Sequence, residues 1–273
     1  EKYLSIKSSD LGAQKKLVEL YFANNDYSKS KILILKILSA DKSYQQGYLY
    51  LGEIYLTEGQ QDKALNYFVQ GLETGYSSDK LFKYLAGLYY KKELYHIAYK
   101  YYLKVYDESI KDEGFLLDFT DVCVNQGKYD MAEKLLNGDV LKKIVSERKN
   151  KLTESVIFSK SLRFYNENRF DQSMAELNKL KEDSRIKYYK GKIHYVQKNF
   201  EKSGLFFSEA GDYLDSKKYE GLSAYKSGYP DKSLKLLMQY KSDSDIQEIL
   251  YNLTFTSNEI SDTDKIAIYG EME

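Results

Sequence analysis

The sequence predicts an all-α protein built from a row of stacked helical hairpins, and three observations support this prediction. Proline, the residue that breaks helices most strongly, occurs once in 273 residues, at Pro230. Apolar residues recur at intervals of three and four along most of the chain, which is the period of an α-helix. Small residues also recur at a fixed interval of 34 residues, which indicates a repeated structural unit.

The repeat is clearest around Gly52 and Ala64, which lie twelve positions apart. Steps of 34 residues from these two positions give one series of Val18, Gly52, Ala86 and Thr120, and a second series of Ser30, Ala64, Ala98 and Ala132. A bulky residue stands four positions after each member of the second series, namely Ile34, Phe68, Tyr102 and Leu136. Four units therefore keep one register without an insertion.

Helix packing explains this spacing. Two helices joined by a short turn can approach closely only if small residues stand where they cross. The segments "TEGQQDKA", "KKELYHIA" and "NQGKYDMA" each place polar residues before a new apolar stripe, as a turn between two helices requires. A single hairpin of this size cannot bury its own apolar face, whereas stacked neighbours can. The pattern thus predicts an array.

These residues resemble the tetratricopeptide repeat. The match consists of Leu51-Gly52, Tyr55, Gly59, Ala64 and Phe68, with their counterparts one period away, and it covers about residues 11–137. The chain departs from the family pattern because it has no Trp, lacks the proline that ends each repeat and has Cys123 where an aromatic is expected. The resemblance implies a right-handed superhelical α-solenoid of about seven hairpins with a C-terminal cap, and a non-catalytic role in protein–protein interaction.

The second half keeps the twelve-residue spacing with a shorter period of 30 residues. The pairs are Ser161 and Ser173, Gly191 and Ser203, and Gly221 and Ser233. We therefore expect four 34-residue hairpins in residues 1–138, an irregular linker or extra helix in 139–152, three shorter hairpins in 153–242, and a C-terminal cap in 243–273.

Composition excludes several classes of protein. Lys plus Arg and Asp plus Glu both number 41, so the net charge is zero and no nucleic-acid partner is expected. With one cysteine, the chain forms no internal disulfide. No apolar run approaches the roughly 18 residues of a membrane-spanning helix. The sequence leaves two locations open, the cytoplasm or an exported form from which a leader has been removed.

The residues that could support chemistry do not form a recognisable motif. His96 falls in a predicted turn, and His194 stands where other units have a core residue, so a packing role is favoured for His194. Cys123 occupies a core position and is expected to be a buried thiol. The sequence contains no glycine-rich phosphate loop. We predict no catalytic site, no cofactor and no metal site.

Surface recognition is the remaining function. In repeats of this kind the first helix of each hairpin lines the concave wall, so aromatic and basic residues on those helices are the candidate partner-binding set. This set comprises Phe22, Tyr90, Tyr165, Tyr195, Tyr225, Lys15, Lys83 and Lys192. Such a row could hold an extended peptide or a partner's helix. The alternative is that these side chains only pack against the next hairpin.

Some tetratricopeptide proteins clamp the C-terminal carboxylate of chaperones with Lys and Asn side chains. The corresponding positions here pair Lys15 with Glu19 and Lys83 with Gly87, without the asparagines, which argues against a chaperone-tail adaptor. The predicted function is a scaffold that binds a partner peptide or helix in the concave groove. A regulatory peptide receptor and a structural component of cell-envelope assembly are the alternatives.

Overall fold

Sixteen α-helices make up most of the computed structural model, which describes residues 10–107 and 110–270. No β-strand occurs within those residues. The helices are α1 (Leu11–Ala23), α2 (Tyr27–Ala40), α3 (Gln45–Thr57), α4 (Gln61–Glu73), α5 (Asp79–Lys91), α6 (Tyr95–Val105), α7 (Glu113–Asn125), α8 (Tyr129–Asn137), α9 (Glu147–Asn166), α10 (Phe170–Leu177), α11 (Ser184–Val196), α12 (Phe200–Ala210), α13 (Ser216–Lys226), α14 (Pro230–Leu237), α15 (Ser244–Thr256) and α16 (Asp262–Gly270). The predicted all-α solenoid class is confirmed.

The chain divides into two units, Glu1–Leu152 and Thr153–Glu273. The first unit contains the hairpins α1/α2, α3/α4, α5/α6 and α7/α8. The second contains α11/α12, α13/α14 and the terminal pair α15/α16, together with α10. Helix α9 runs across the division and precedes α10 as the first helix of its hairpin. The finer division at residues 138, 152 and 242 follows the repeat register, and we retain it as a proposal.

Several of the first helices in the hairpins begin at a side chain that caps the exposed backbone N–H groups. The carboxylate of Asp10 accepts a hydrogen bond from the amide of Ala13 at 3.0 Å, and that of Asp112 accepts one from Phe115 at 3.0 Å. Asp183 does the same for the amide of Ile186 at 2.8 Å. Each cap replaces a bond that the first turn of a helix cannot make internally.

A residue in the left-handed conformation ends the first helix of each hairpin. The φ angles run from 58° to 79° at Asn25, Gly59, Glu93, Gly127, Asn168, Lys198 and Gly228. These positions follow the same 34- and 30-residue intervals as the small residues. The turn geometry is therefore constant even where the residue is Glu or Lys, for which this conformation is unfavourable.

The helix crossings lie where the small residues predict them. Ala64, Ala98 and Ala132 are completely buried. At the second hairpin, Phe68 of α4 lies directly over Gly52 of α3, and a Cβ atom added to Gly52 would come within 2.1 Å of the ring. Glycine is required here because the aromatic ring occupies the space of a side chain.

A serine hydroxyl adds a hydrogen bond at the same crossing in the first hairpin, where Ser30 donates to the carbonyl of Val18 at 3.5 Å, and at shorter distances in three later hairpins. The hydroxyl of Ser173 donates to the carbonyl of Ser161 at 2.8 Å, and that of Ser203 donates to the carbonyl of Gly191 at 3.0 Å. Ser233 repeats the bond with Gly221 at 3.0 Å. Each serine thereby ties the second helix of a hairpin to the backbone of the first.

Two segments depart from the simple repeat. Residues 140–152 form a short 3₁₀ turn at Leu141–Lys143, with Leu141 fully buried, and then enter α9 at Glu147. At the C-terminus, α15 and α16 bury a cluster that includes Ile246, Leu250, Leu253 and Ile268. This terminal pair covers apolar surface of the preceding hairpin, as the end of a helical array must.

Candidate functional site

The candidate residues in the first unit already have partners within the chain. The ring of Phe22 packs between Tyr27 and Tyr50, with ring centroids 5.4 and 4.5 Å away. The ammonium group of Lys15 lies 3.0 Å from a carboxylate oxygen of Asp41. Lys15 is therefore neutralised locally, and Phe22 is part of the packing between the first and second hairpins.

Tyr90 belongs to a polar cluster that joins three helices. Its hydroxyl donates to Oδ2 of Asp121 on α7 at 2.6 Å, and Nη2 of Arg148 on α9 donates to the same hydroxyl at 3.2 Å. Arg148 also forms an ion pair with Asp118 at 2.5 Å. Burial, followed by the hydrogen bond to Asp121, raises the pKa of Tyr90 well above its ordinary value. The hydroxyl of Tyr90 therefore already has hydrogen-bond partners within the chain.

Lys83 differs from these residues because it is exposed on α5. Its ammonium group lies 5.8 Å from the ring centre of Phe115. The nearby Lys80 forms an ion pair, because its ammonium group lies 2.7 Å from the carboxylate of the buried Glu53. In the first unit, Lys15 and Lys80 are therefore ion-paired, whereas Lys83 lies near an aromatic ring.

The second unit brings three of the candidates together. The ammonium group of Lys192 on α11 lies 3.7 Å above the ring of Tyr219 on α13. Tyr195 packs edge-on against the same ring with centroids 5.3 Å apart. Burial raises the pKa of Tyr165, while the positive charge of Lys192 acts to lower it, so these two side chains are electrostatic neighbours.

Lys192 has no acidic partner among the residues that the structure describes. Its positive charge is instead held against an aromatic face, a cation–π contact worth about 0.5–2 kcal/mol depending on exposure. A half-buried ammonium group without a carboxylate can still bind an anionic group. The arrangement therefore combines an available cation with flanking aromatic rings.

The two remaining aromatic candidates are packed differently. Tyr165 packs edge-on against Phe170 of α10, with ring centroids 5.8 Å apart. Its side chain is half-buried. Tyr225 packs against the C-terminal cluster that contains Leu234 and Leu250. Tyr225 therefore has a clear structural role between the seventh hairpin and the cap.

Sequence reasoning missed Tyr219, the residue on which Lys192 rests. A signal for it exists, because a tyrosine stands two positions before the first small residue in four hairpins. These tyrosines are Tyr50, Tyr84, Tyr189 and Tyr219. Tyr50 contacts Phe22, and Tyr84 stacks on Phe68 with centroids 5.0 Å apart. The position is thus a recurrent contact between neighbouring hairpins.

The reactive residues are separated. His96 is exposed, whereas His194 is half-buried and stacks on Phe206 with ring centroids 5.4 Å apart. Burial lowers the pKa of His194, helped by the nearby charge of Lys202. Cys123 is completely buried, and burial raises its pKa to about 12. Over residues 10–107 and 110–270, no group of three or more His, Cys, Asp or Glu side chains is placed to hold a metal ion.

No protein-family model matches the chain, and no curated protein matches it. Among solved structures, it is similar to the tetratricopeptide-repeat chain in "Structure of Naa15/Naa10 bound to HypK-THB", with a TM-score of 0.51 and 14% identity. That similarity covers 96% of this chain and 42% of the other. The chain has the tetratricopeptide-repeat fold.

Two further solved structures are tetratricopeptide-repeat proteins with lower scores. YrrB, described as having an unusual peptide-binding site, is 16% identical over 65% of this chain and 88% of its own, with a TM-score of 0.46. A protein from Parabacteroides merdae is 12% identical over 89% of this chain and 98% of its own, with a TM-score of 0.41.

Among the described residues, none of the helices has both the length and the apolar character needed to cross a membrane.

Proposed function

We propose that this tetratricopeptide-repeat chain is a non-catalytic interaction module that binds an extended segment of a partner protein along the first helices of the second unit. The observation that carries the proposal is the position of Lys192, which has aromatic neighbours and no acidic partner among the described residues. Of the other two lysines in the candidate set, Lys15 is paired with Asp41, and Lys83 is exposed with its ammonium group 5.8 Å from the ring of Phe115, a longer distance than the 3.7 Å between Lys192 and Tyr219.

The partner segment that fits this surface carries an acidic group beside an apolar side chain. A carboxylate would approach the ammonium group of Lys192 and form a charge-assisted hydrogen bond. The apolar side chain would lie against Tyr165 and Tyr195, which are half-buried and retain accessible ring surface. Aromatic anchors at the centre of an interface commonly supply most of the binding energy.

A non-catalytic role is supported by the arrangement of the reactive groups. Cys123 is buried with a raised pKa, so its nucleophilic thiolate is scarce at neutral pH. His194 packs against Phe206 rather than against a carboxylate. Catalysis of acyl or phosphoryl transfer requires a nucleophile, a base and a charge stabiliser to converge, and these side chains do not.

The test is quantitative recovery of partners from native cells, with the tagged chain as bait and mass spectrometry as readout. Lys192→Met and Tyr195→Ala should each reduce recovery of the same partner about tenfold, which corresponds to loss of one anchor. Lys100→Met, a change at an exposed lysine on α6, is the matched control and should leave recovery unchanged. Equal recovery by Lys192→Met and Lys100→Met would reject the proposed surface.

A further inference from the structure

The second unit contains a cavity of about 380 Å³ between α12, α13 and α14. Four small residues contribute to its lining, namely Gly204, Ser223, Ala224 and Ser227. Two large apolar side chains line it from more exposed positions, with Leu205 65% and Tyr229 54% exposed. Its volume lies within the usual range of about 300–1,000 Å³ for small-ligand pockets.

The 30-residue register explains why the cavity is open at this point of the array. One period earlier, the positions of Gly204, Ser223 and Ala224 are occupied by Met174, Ile193 and His194. Ile193 belongs to a buried cluster against which Met174 packs, while the imidazole of His194 stacks on Phe206. Bulky side chains thus occupy the earlier interval, and their replacement by small ones leaves space in the later one.

The cavity also contains a buried negative charge. Glu220 on α13 is only 9% exposed, and its carboxylate lies 2.9 Å from the ammonium group of Lys232 on α14. The exposed Glu201 adds a second carboxylate to the lining. Two carboxylates against one ammonium group leave a net charge of −1 (−2 + 1) in the cavity. The sign of the buried charge is reversed one period earlier, where the buried Lys190 stands at the position equivalent to Glu220.

The lysine that neutralises Glu220 is replaceable. The side chain of Lys232 is 53% exposed, so it can return to water at little cost, whereas the carboxylate of Glu220 stays in the wall of the cavity. A buried carboxylate that loses its partner is strongly destabilised and favours any cation that can reach it. The cavity therefore has an apolar part that suits a large side chain and an acidic part that suits a positive charge.

We propose that this cavity binds a short peptide segment in which an aromatic or large aliphatic side chain stands next to Lys or Arg. The apolar side chain enters between Leu205 and Tyr229, and the neighbouring cation displaces Lys232 from Glu220. This basic ligand is opposite in charge to the acidic segment assigned to Lys192. The chain would then hold two segments of different character within one unit.

The test is a titration of the intact chain with the end-capped dipeptide Ac-Phe-Arg-NH₂, followed by NMR at the backbone amides of Gly204 and Ser227. We expect saturable shifts at both amides. Ac-Phe-Glu-NH₂ should bind at least about fivefold more weakly, since it places a carboxylate against Glu220. Equal affinity for the two dipeptides, or shifts distributed over unrelated amides, would overturn the proposal.

Variants separate the two parts of the cavity. Gly204→Met introduces the side chain that closes the earlier interval, and a Cβ at Gly204 meets Ser223 at an ordinary contact distance of 3.5 Å. We expect it to abolish binding while the spectrum of the folded chain is kept. Gly87→Met places the same side chain on α5, where an added Cβ has no neighbour within 4 Å, and should bind as the wild type does.

Two further variants test the charge of the cavity. Lys232→Met removes the competing cation and should tighten Ac-Phe-Arg-NH₂ several-fold, whereas Glu220→Gln should remove the preference for arginine over glutamate. If Gly204→Met binds normally, or if Lys232→Met weakens the basic dipeptide, the cavity is not the site of recognition.

Discussion

Replacing Gly52 with alanine is the most demanding test of the helix crossings. The added Cβ would lie 2.1, 2.4 and 2.6 Å from three carbon atoms of the Phe68 ring. Carbon atoms pack at about 3.5–4.0 Å, so the ring would have to retreat by more than 1 Å. Phe68 is completely buried and stacks on Tyr84 with centroids 5.0 Å apart, so a retreat of its ring would displace neighbouring side chains.

Two opposing effects set the size of the change. Alanine is the better helix former by about 1 kcal/mol. Overpacking of a tight core costs about 1–3 kcal/mol, and the severe overlap at Phe68 places this site at the upper end. We therefore expect Gly52→Ala to lower the free energy of unfolding by about 2 kcal/mol, whereas Gly87→Ala, with no neighbour within 4 Å, should raise it by up to about 1 kcal/mol.

Gly191→Ala is expected to have a stability between those of Gly52→Ala and Gly87→Ala. Its added Cβ would lie 3.0 Å from the Phe207 ring, a milder overlap than at Gly52. Urea unfolding followed by far-UV circular dichroism gives the stabilities, and hydrogen exchange shows whether protection is lost in α3 and α4. The order of stability should be Gly87→Ala, then Gly191→Ala, then Gly52→Ala. If Gly52→Ala is as stable as Gly87→Ala, the helices do not cross at Gly52.

Three further predictions concern the turns, the serine bonds and the buried thiol. Glu93→Gly should raise the free energy of unfolding by about 0.5–1 kcal/mol in urea denaturation, because Glu93 is exposed and held at a φ of 58°; a loss of stability would refute the turn geometry. Ser203→Ala should lower it by about 1–3 kcal/mol although alanine occupies this position in other hairpins, because the buried hydroxyl donates to Gly191 and accepts from Ser223, each at 3.0 Å; an unchanged urea midpoint would show that the bond is not needed. Burial raises the pKa of the Cys123 thiol from 9.0 to about 12, so the contribution of this group to stability is full below pH 9 and falls between pH 9 and 12. Iodoacetamide should therefore label Cys123 in urea but not in the folded chain at neutral pH, and rapid labelling of the folded chain would contradict its burial.

The repeat could be predicted from the sequence because packing leaves a periodic trace. Ala64, Ala98 and Ala132 stand at equal intervals and are all completely buried, since the same helix crossing recurs in each hairpin. The turns are less visible in the sequence. Glu93 and Lys198 occupy the left-handed position that glycine fills elsewhere, so residue type alone does not identify them.

The surface was harder to predict than the core because partners within the chain depend on tertiary contacts. In the sequence, Tyr90 and Lys192 are equally good candidates for partner binding, because both lie on the first helix of a hairpin. In the structure, the hydroxyl of Tyr90 donates a hydrogen bond to Asp121, whereas the ammonium group of Lys192 lies over the ring of Tyr219. These differences come from residues 27 to 31 positions away, at a spacing that a search for local motifs does not examine.

Backbone chemical shifts from NMR test the hairpin architecture most directly, because they report helix and left-handed conformations residue by residue. We expect helical shifts over the ranges from α1 to α16, with left-handed shifts at Asn25, Gly59, Glu93, Gly127, Asn168, Lys198 and Gly228. Strand-type shifts within these helices, or helical shifts running unbroken through the seven turns, would contradict the array of stacked hairpins.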